Sequence, residues 1–194
     1  MKRSNGNETA QRTDGDRRPV SPALVSLATT AAFAILCPAQ VVAQVNRDSR
    51  SLPLSLAMKA AAASIDACSR NGYAVSVVIV DTSGVIRIEA KGDNSTIHTT
   101  ASAYRKAYTV VTLGPIYRFE KSSEFSWLVA KNPDGEGLAR LPNVTSLAGG
   151  VTIKSDNQVI AALGVSGSPG GAKDETCAEA GTASIQDDLR ALYP

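Results

Sequence analysis

The chain of 194 residues has a single histidine, His98, so any imidazole chemistry must run through it. Ser102, Arg105 and Thr109 follow at helical spacing, and a helix starting there would carry them on one stripe with His98. An imidazole can ligate a metal or move a proton near neutral pH. The commoner fate of a lone histidine at a helix start is a solvated or hydrogen-bonded surface residue. A zinc site of the usual kind is excluded, since there is no second histidine and the cysteines are far apart in sequence. No nucleophile elbow is present, so a Ser-His-Asp site has no support and no catalytic residue is assigned. Arg105 and Lys106 could pair with a ligand's carboxylates, although helix charges are more often simply solvated. Tyr104 and Tyr108, four apart on one face, are either core or the wall of an apolar pocket.

A second feature is the run Gly164-Val165-Ser166-Gly167-Ser168-Pro169-Gly170-Gly171 between an apolar strand pattern and a helical one. Backbone N–H groups at such a helix start can hold an anion. The run is neither a Walker loop, because Lys173 follows Ala172, nor Gly-x-Gly-x-x-Gly, so a nucleotide site is not expected. A tight connection accounts for the glycines without any ligand. Asp174 and Glu175 in the next helical turn suit the helix dipole.

The elements that must position these residues are legible from periodicity. Leu54, Met58, Ala61, Ile65 and Cys68 recur at helical spacing, and Asn71-Gly72 closes that helix. Residues 75–80 are a nearly unbroken β-branched run, hence a buried strand. After the turn Asp81-Thr82-Ser83-Gly84, Ile86, Ile88 and Ala90 alternate with charges, which makes a half-exposed partner strand and a hairpin. A helix is expected over 99–113, stopping before Gly114-Pro115, and a shorter one over 123–130. Residues 133–137 and 141–143 read as loops. Strands are expected over 144–153 and 158–165, and a last helix over 172–192. Hairpins separated by helices favour an antiparallel sheet covered by helices, an α/β (α+β) fold and not a Rossmann one.

Residues 1–43 read as a signal peptide. A basic stretch is followed by an apolar run from Ala23 to Cys37, then Pro38, then the small-residue exit Val41-Val42-Ala43. The run is shorter than the roughly 20 strongly apolar residues of a membrane span. Residues 44–53 read as a tether and 54–194 as one domain. The whole chain has 20 Lys and Arg against 18 Asp and Glu; taking away the leader's 5 and 3 leaves 15 of each. The mature domain is therefore near neutral, with no footprint for nucleic acid and no membrane segment after cleavage. It is expected in the periplasm or medium. Cys68 and Cys177 remain, either as a disulfide or as two small buried hydrophobes.

Several stretches together resemble the GlcG/HbpS-type family, which includes small heme-binding and glycolate-operon domains and the C-terminal part of PduO proteins. The matching pieces are Tyr73 to Asp81 with its Gly84 turn, His98-Thr99, and Arg105-Lys106-Ala107-Tyr108-Thr109. Ala148-Gly149-Gly150-Val151 and Ile160 to Gly167 continue the resemblance. Pro169-Gly170-Gly171, Asp174 to Ala178 and Ala180-Gly181 close it, so that it spans residues 54 to 192. It implies a profilin-like sandwich around a five-stranded antiparallel sheet, homo-oligomers, and heme binding in some branches. Carried over by position, His98 and the segment Arg105, Lys106, Tyr108, Thr109 line the pocket, with Gly167, Gly170 and Gly171 at its rim. The axial ligand of iron is then His98 or Thr109. Paired cysteines at places like Cys68 and Cys177 recur in exported relatives, which implies a disulfide here. The chain departs from the family pattern at Thr96-Ile97 and at Ala172. Three functions follow as expectations: an exported heme-binding protein, a protein acting on a small carboxylate such as glycolate, or a structural oligomer module.

Overall fold

A computed structural model describes residues 50–194. The expected leader over 1–43, and residues 44–49 of the expected tether, lie outside the described residues. Residues 50–53 are docked and not a free tether. Leu52 is buried, Tyr193 donates its hydroxyl proton to Ser51 O at 2.7 Å, and Arg50 pairs with Asp156.

The elements follow as α1 (Leu54–Ser69), β1 (Ser76–Asp81), β2 (Ile86–Lys91), α2 (Thr99–Tyr117), α3 (Ser122–Lys131), α4 (Gly135–Ala139), β3 (Gly150–Ser155), β4 (Gln158–Ser166), α5 (Gly171–Ala183) and α6 (Gln186–Leu192). Both expected hairpins form, and β1 pairs with β4 antiparallel to join them in the order β2-β1-β4-β3. The sheet has four strands among the described residues, where five were expected. The place of a fifth, beside β3, holds only a short contact: Thr152 N–H donates to Glu120 O at 3.0 Å, and Lys121 bridges Val151. Only residues 118–121 separate α2 from α3, and Arg118 is used in a left-handed turn at φ 59°, so no length is left for a strand.

Side chains alternate across the sheet and make two cores. Val77, Ile79, Leu163 and Val165 pack with Ala57, Ala60, Ala61, Cys68, Ala178 and Ile185 of the α1, α5 and α6 layer. Val78, Val80 and Ala162 pack with Ala103, Ala107, Val110 and Phe125 of the α2 and α3 layer. A bulge at Arg87 lets Ile88 and Ala90 face the first layer while Ile86 turns to the second. Glycines set how closely α2 lies on the sheet. A Cβ on Gly164 would stand 2.1 Å from Ala103 O, and one on Gly150 2.5 Å from Lys106 O. Gly150 and Gly164 are cross-strand partners, so the pair forms a flat seat for α2.

Other boundaries differ from expectation for physical reasons. Helix α2 runs through Gly114-Pro115 because proline falls in its last turn, and Phe119 N–H then closes onto Gly114 O at 3.1 Å. Residues 144–149 are a loop and not the start of β3. Their backbone is satisfied by α2 side chains: Arg105 donates to Val144 O, and Thr145 N–H donates to Thr109 Oγ1 at 2.9 Å. Part of the expected 133–137 loop is helical, as α4 packs Gly135 against Val129. The expected last helix breaks at Ser184-Ile185, where Ile185 is fully buried. No helix among the described residues is long and apolar enough to cross a membrane.

Candidate functional site

A cleft of about 370 Å³ opens at one end of the sheet, between the N-terminal ends of α2 and α5. Helix α2 contributes His98 at its N-cap, Ser102 and Lys106. The loop before β3 contributes Ser146, Leu147 and Ala148. The end of β4 and the glycine-rich turn contribute Ser166, Ser168 and Gly170, and α5 adds Gly171 and Asp174.

The floor is an ion pair between layers. Lys106 is 2% exposed, and its Nζ donates to Asp174 Oδ2 at 2.7 Å and to Val165 O at 2.9 Å. Burial pushes the Lys106 ammonium below its ordinary 10.5, against the opposing pull of Asp174 and then Glu175. The other oxygen of Asp174 accepts Ser168 N–H at 2.9 Å and so pins the glycine-rich turn. Glu175 accepts Ser123 Oγ–H at 2.7 Å and Gly149 N–H at 3.3 Å, which fixes α3 and the start of β3 against α5. The pair as a whole is neutral, so the cleft floor offers a ligand hydroxyls and no net charge.

The mouth is different. His98 is exposed, and its Nδ1 stands 3.3 Å from Thr96 Oγ1. No hydrogen bond to Nε2 is made by the described residues. The helix end beneath it is anchored by Thr99, whose Oγ1 lies 2.7 Å from Ser76 Oγ and donates to Thr96 O at 2.7 Å. Leu147 on the opposite wall is 58% exposed, while Ile97, next to His98 in sequence and 92% exposed, lines a separate groove with Ile86 and Tyr104.

The structure thus brings His98, Lys106, Gly170 and Gly171 to one cleft and leaves the other expected residues off it. Thr109 is fully buried, donates to Arg105 O at 2.7 Å and accepts Thr145 N–H, so it does not line the cleft. Arg105 holds Val144 O, Tyr108 packs over Gly84, and Gly167 is pressed against Ala74, with a Cβ there 2.4 Å from its carbonyl oxygen. Lys106 is neither a solvated helix charge nor free to meet a ligand's carboxylates, since it is buried and held by Asp174. Ser146 and Leu147 had no sequence signal, because their loop meets the cleft only through the fold, whereas Ser166 and Ser168 lie in the glycine-rich run that the sequence singled out. Asp174 was visible only as a dipole partner of α5. Cys68 and Cys177 form a disulfide with Cα atoms 5.5 Å apart, joining α1 to α5. Among the described residues no group of three His, Cys, Asp or Glu could hold a metal ion.

The family model described as "Haem degrading protein HbpS-like" matches residues 52–183. A crystal structure of HbpS is 33% identical, covers 73% of this chain and 94% of its own, and superposes with a TM-score of 0.65. A double mutant of HbpS from Streptomyces reticuli is 30% identical, with 84% and 99% covered and a TM-score of 0.65. The structure of a PduOC:heme complex shares the fold at 20% identity, with 70% and 96% covered and a TM-score of 0.60. No curated protein matches the chain. The matched residues take in both walls of the cleft and both cysteines, and the chain belongs to the HbpS-like family.

Proposed function

We propose that this is an exported protein that binds heme at the mouth of the cleft, for uptake, storage or sensing, with His98 as the iron ligand. The observation that carries this reading is an exposed imidazole at the mouth of a cleft whose opposite wall carries the exposed apolar side chain of Leu147. Membership of the family, and a heme complex among the structural neighbours, support it. Heme supplies an iron centre that an imidazole nitrogen can ligate. The Thr96 hydroxyl beside Nδ1 orients the ring and leaves Nε2 for the metal. Leu147 and Ala148 would give the macrocycle apolar contact. The cleft lies at the small end of the roughly 300–1,000 Å³ range of ligand sites, and its floor is lined with hydroxyls. It would therefore hold the edge of a macrocycle and not a whole one. Arg105 and Lys106 are engaged within the protein, so Ser102 and Ser146 are the cleft side chains that would be available to a heme's propionates.

Titration of the full chain with hemin is expected to give a Soret shift that His98→Ala abolishes or moves. An unchanged spectrum in His98→Ala would remove the ligand assignment, and no uptake by wild type would remove the reading. Export is supported by the leader pattern and by the disulfide, which persists in oxidising compartments. The exported chain is expected to begin at Gln44; a chain that keeps residues 1–43 in the cytosol would overturn that part.

The hydroxyl-lined floor and Gly170-Gly171 at the start of α5 favour a second reading, a small carboxylate such as glycolate in the cleft. The cation in reach is already neutralised by Asp174, and the Ser168 and Gly170 amides donate within the protein. Thermal stabilisation by glycolate without heme uptake would decide for this reading. A large assembly with no ligand-dependent melting shift would decide for a structural module.

A further inference from the structure

The end of the sheet away from the cleft carries charges that heme binding at His98 does not use. Strand β1 ends there at Asp81, β2 starts there after its turn, and β4 starts there at Gln158. Tyr193 holds Ser51 from both sides, accepting its N–H at 3.3 Å and donating to its carbonyl oxygen at 2.7 Å. Residues 50–52 thus close one side of a hollow of about 380 Å³. Its apolar wall is Leu52, Ile160 and Ala161, all part of the core under α1, α5 and α6.

Two opposite charges line this hollow without pairing with each other. Asp81 is aimed by its own turn: Oδ1 accepts Ser83 N–H at 2.9 Å and Val85 N–H at 3.0 Å, and Oδ2 has no partner among the described residues. Ala161 is the cross-strand partner of Asp81, so the carboxylate stands on the face of the apolar wall. Arg87 is the extra residue of the β2 bulge. Ile79 pairs with Ile88 and Val80 with Ile86, which leaves Arg87 unmatched on β1. A bulge re-aims the side chain it carries. The Arg87 guanidinium reaches the hollow and has no ion pair or hydrogen bond among the described residues. Arg50, the other cation here, is neutralised by Asp156 and lies over the Tyr193 ring.

We infer that this hollow is a binding site for a small zwitterion, an α-amino acid with a short apolar side chain. Arg87 takes the carboxylate in two parallel hydrogen bonds. Asp81 Oδ2 accepts from the ammonium, and the side chain rests on Leu52, Ile160 and Ala161. With Asp156 counted, two guanidiniums stand against two carboxylates, so complementarity favours a ligand of no net charge that carries both signs. Phosphate or a dicarboxylate would gain Arg87 but meet Asp81, and a simple amine would gain Asp81 but meet Arg87. The volume lies at the small end of the roughly 300–1,000 Å³ range of ligand sites, which suits a molecule of amino-acid size.

The test is titration calorimetry of the full chain with four probes: L-valine, isovalerate (valine without its ammonium), isobutylamine (valine without its carboxylate) and inorganic phosphate. L-valine is expected to bind about tenfold or more tightly than each of the others, the loss that follows from one hydrogen-bonded charge. Arg87→Gln and Asp81→Asn are each expected to weaken L-valine on the order of tenfold to a hundredfold. Asp81→Asn keeps an oxygen for the two turn amides, so the hairpin is retained. His98→Ala is expected to leave L-valine binding unchanged, and Arg87→Gln to leave hemin uptake unchanged, so the two sites fail separately. No binding of L-valine overturns the inference. Equal affinity for isovalerate or phosphate overturns it too, as does wild-type affinity for L-valine in Arg87→Gln or Asp81→Asn.

Discussion

At the scale of single residues, the Lys106–Asp174 pair decides how the cleft is held. It lies between α2 and α5 with both side chains 3% exposed, and it also takes in Val165 O and Ser168 N–H. Removing one partner of a buried pair leaves an uncompensated charge, so Lys106→Ala is expected to cost roughly 3–5 kcal/mol in urea unfolding. Lys106→Met with Asp174→Leu is expected to recover most of that loss, since a buried pair often breaks even with apolar residues of similar volume. A double variant no more stable than the single would count against this account. The pH dependence has a defined sign. Burial lowers the folded pKa of Lys106 below 10.5, so between that lowered value and 10.5 the unfolded chain holds more protons than the folded one. Stability from this group therefore rises with pH through that window. The stability difference between wild type and Lys106→Met should grow in wild type's favour as the pH is raised toward 10.5. Periodicity placed Lys106 on a helix but gave no sign of its burial. What buries it is a carboxylate 68 residues away, brought close only by the strand order.

At the scale of elements, α2 carries His98, Ser102 and Lys106, and the glycine seat on β3 and β4 sets its height. Gly164→Ala would drive a methyl to 2.1 Å from Ala103 O, a backbone atom that cannot swing away. Overpacking of this kind costs about 1–3 kcal/mol, and α2 must shift to relieve it. Melting temperature and hemin affinity are expected to fall together. Gly137→Ala serves as the control, since a Cβ there meets nothing within 4 Å and lies in helix α4. That change should leave affinity unaltered and stability equal or slightly raised. Strands β1 and β4 were readable as unbroken apolar runs because both their faces are buried. Helix α1 was readable from its spacing, although Leu54 and Met58, which helped to carry that spacing, are 53% and 57% exposed. The 144–149 loop was not, since Val144 and Thr145 have strand-like side chains. Their backbone is satisfied by Arg105 and Thr109, two residues that the family resemblance assigned to a pocket. The same hydrogen bonds remove Thr109 from the cleft.

At the scale of the whole molecule, the covalent link matters most. Cys68 and Cys177 close a loop with a sequence separation of 109 residues, between two helices packed on the same face. Loop-closure entropy alone makes such a bridge worth about 5 kcal/mol, comparable with the total stability of a domain this size. Spacing left disulfide and buried thiols both open, because it carries no distance in space, and only the family resemblance pointed to the bridge. The close approach of α1 and α5 settles the geometry: Gly181 lies against Ala60 and Ser64, which brings the two helices near enough for a bridge. Helix α5 also carries Asp174 and Glu175, one turn or less from Cys177, so loosening this helix loosens the cleft. The chain with Cys68→Ser and Cys177→Ser is expected to unfold at much lower urea and to bind hemin more weakly. Wild type kept in reductant should follow it only slowly, because both sulfurs are buried. If the serine variant unfolds at the same urea concentration as wild type, the bridge does not hold the two layers. If it loses stability but keeps full hemin affinity, the mouth at His98 and Leu147 stands independently of α5.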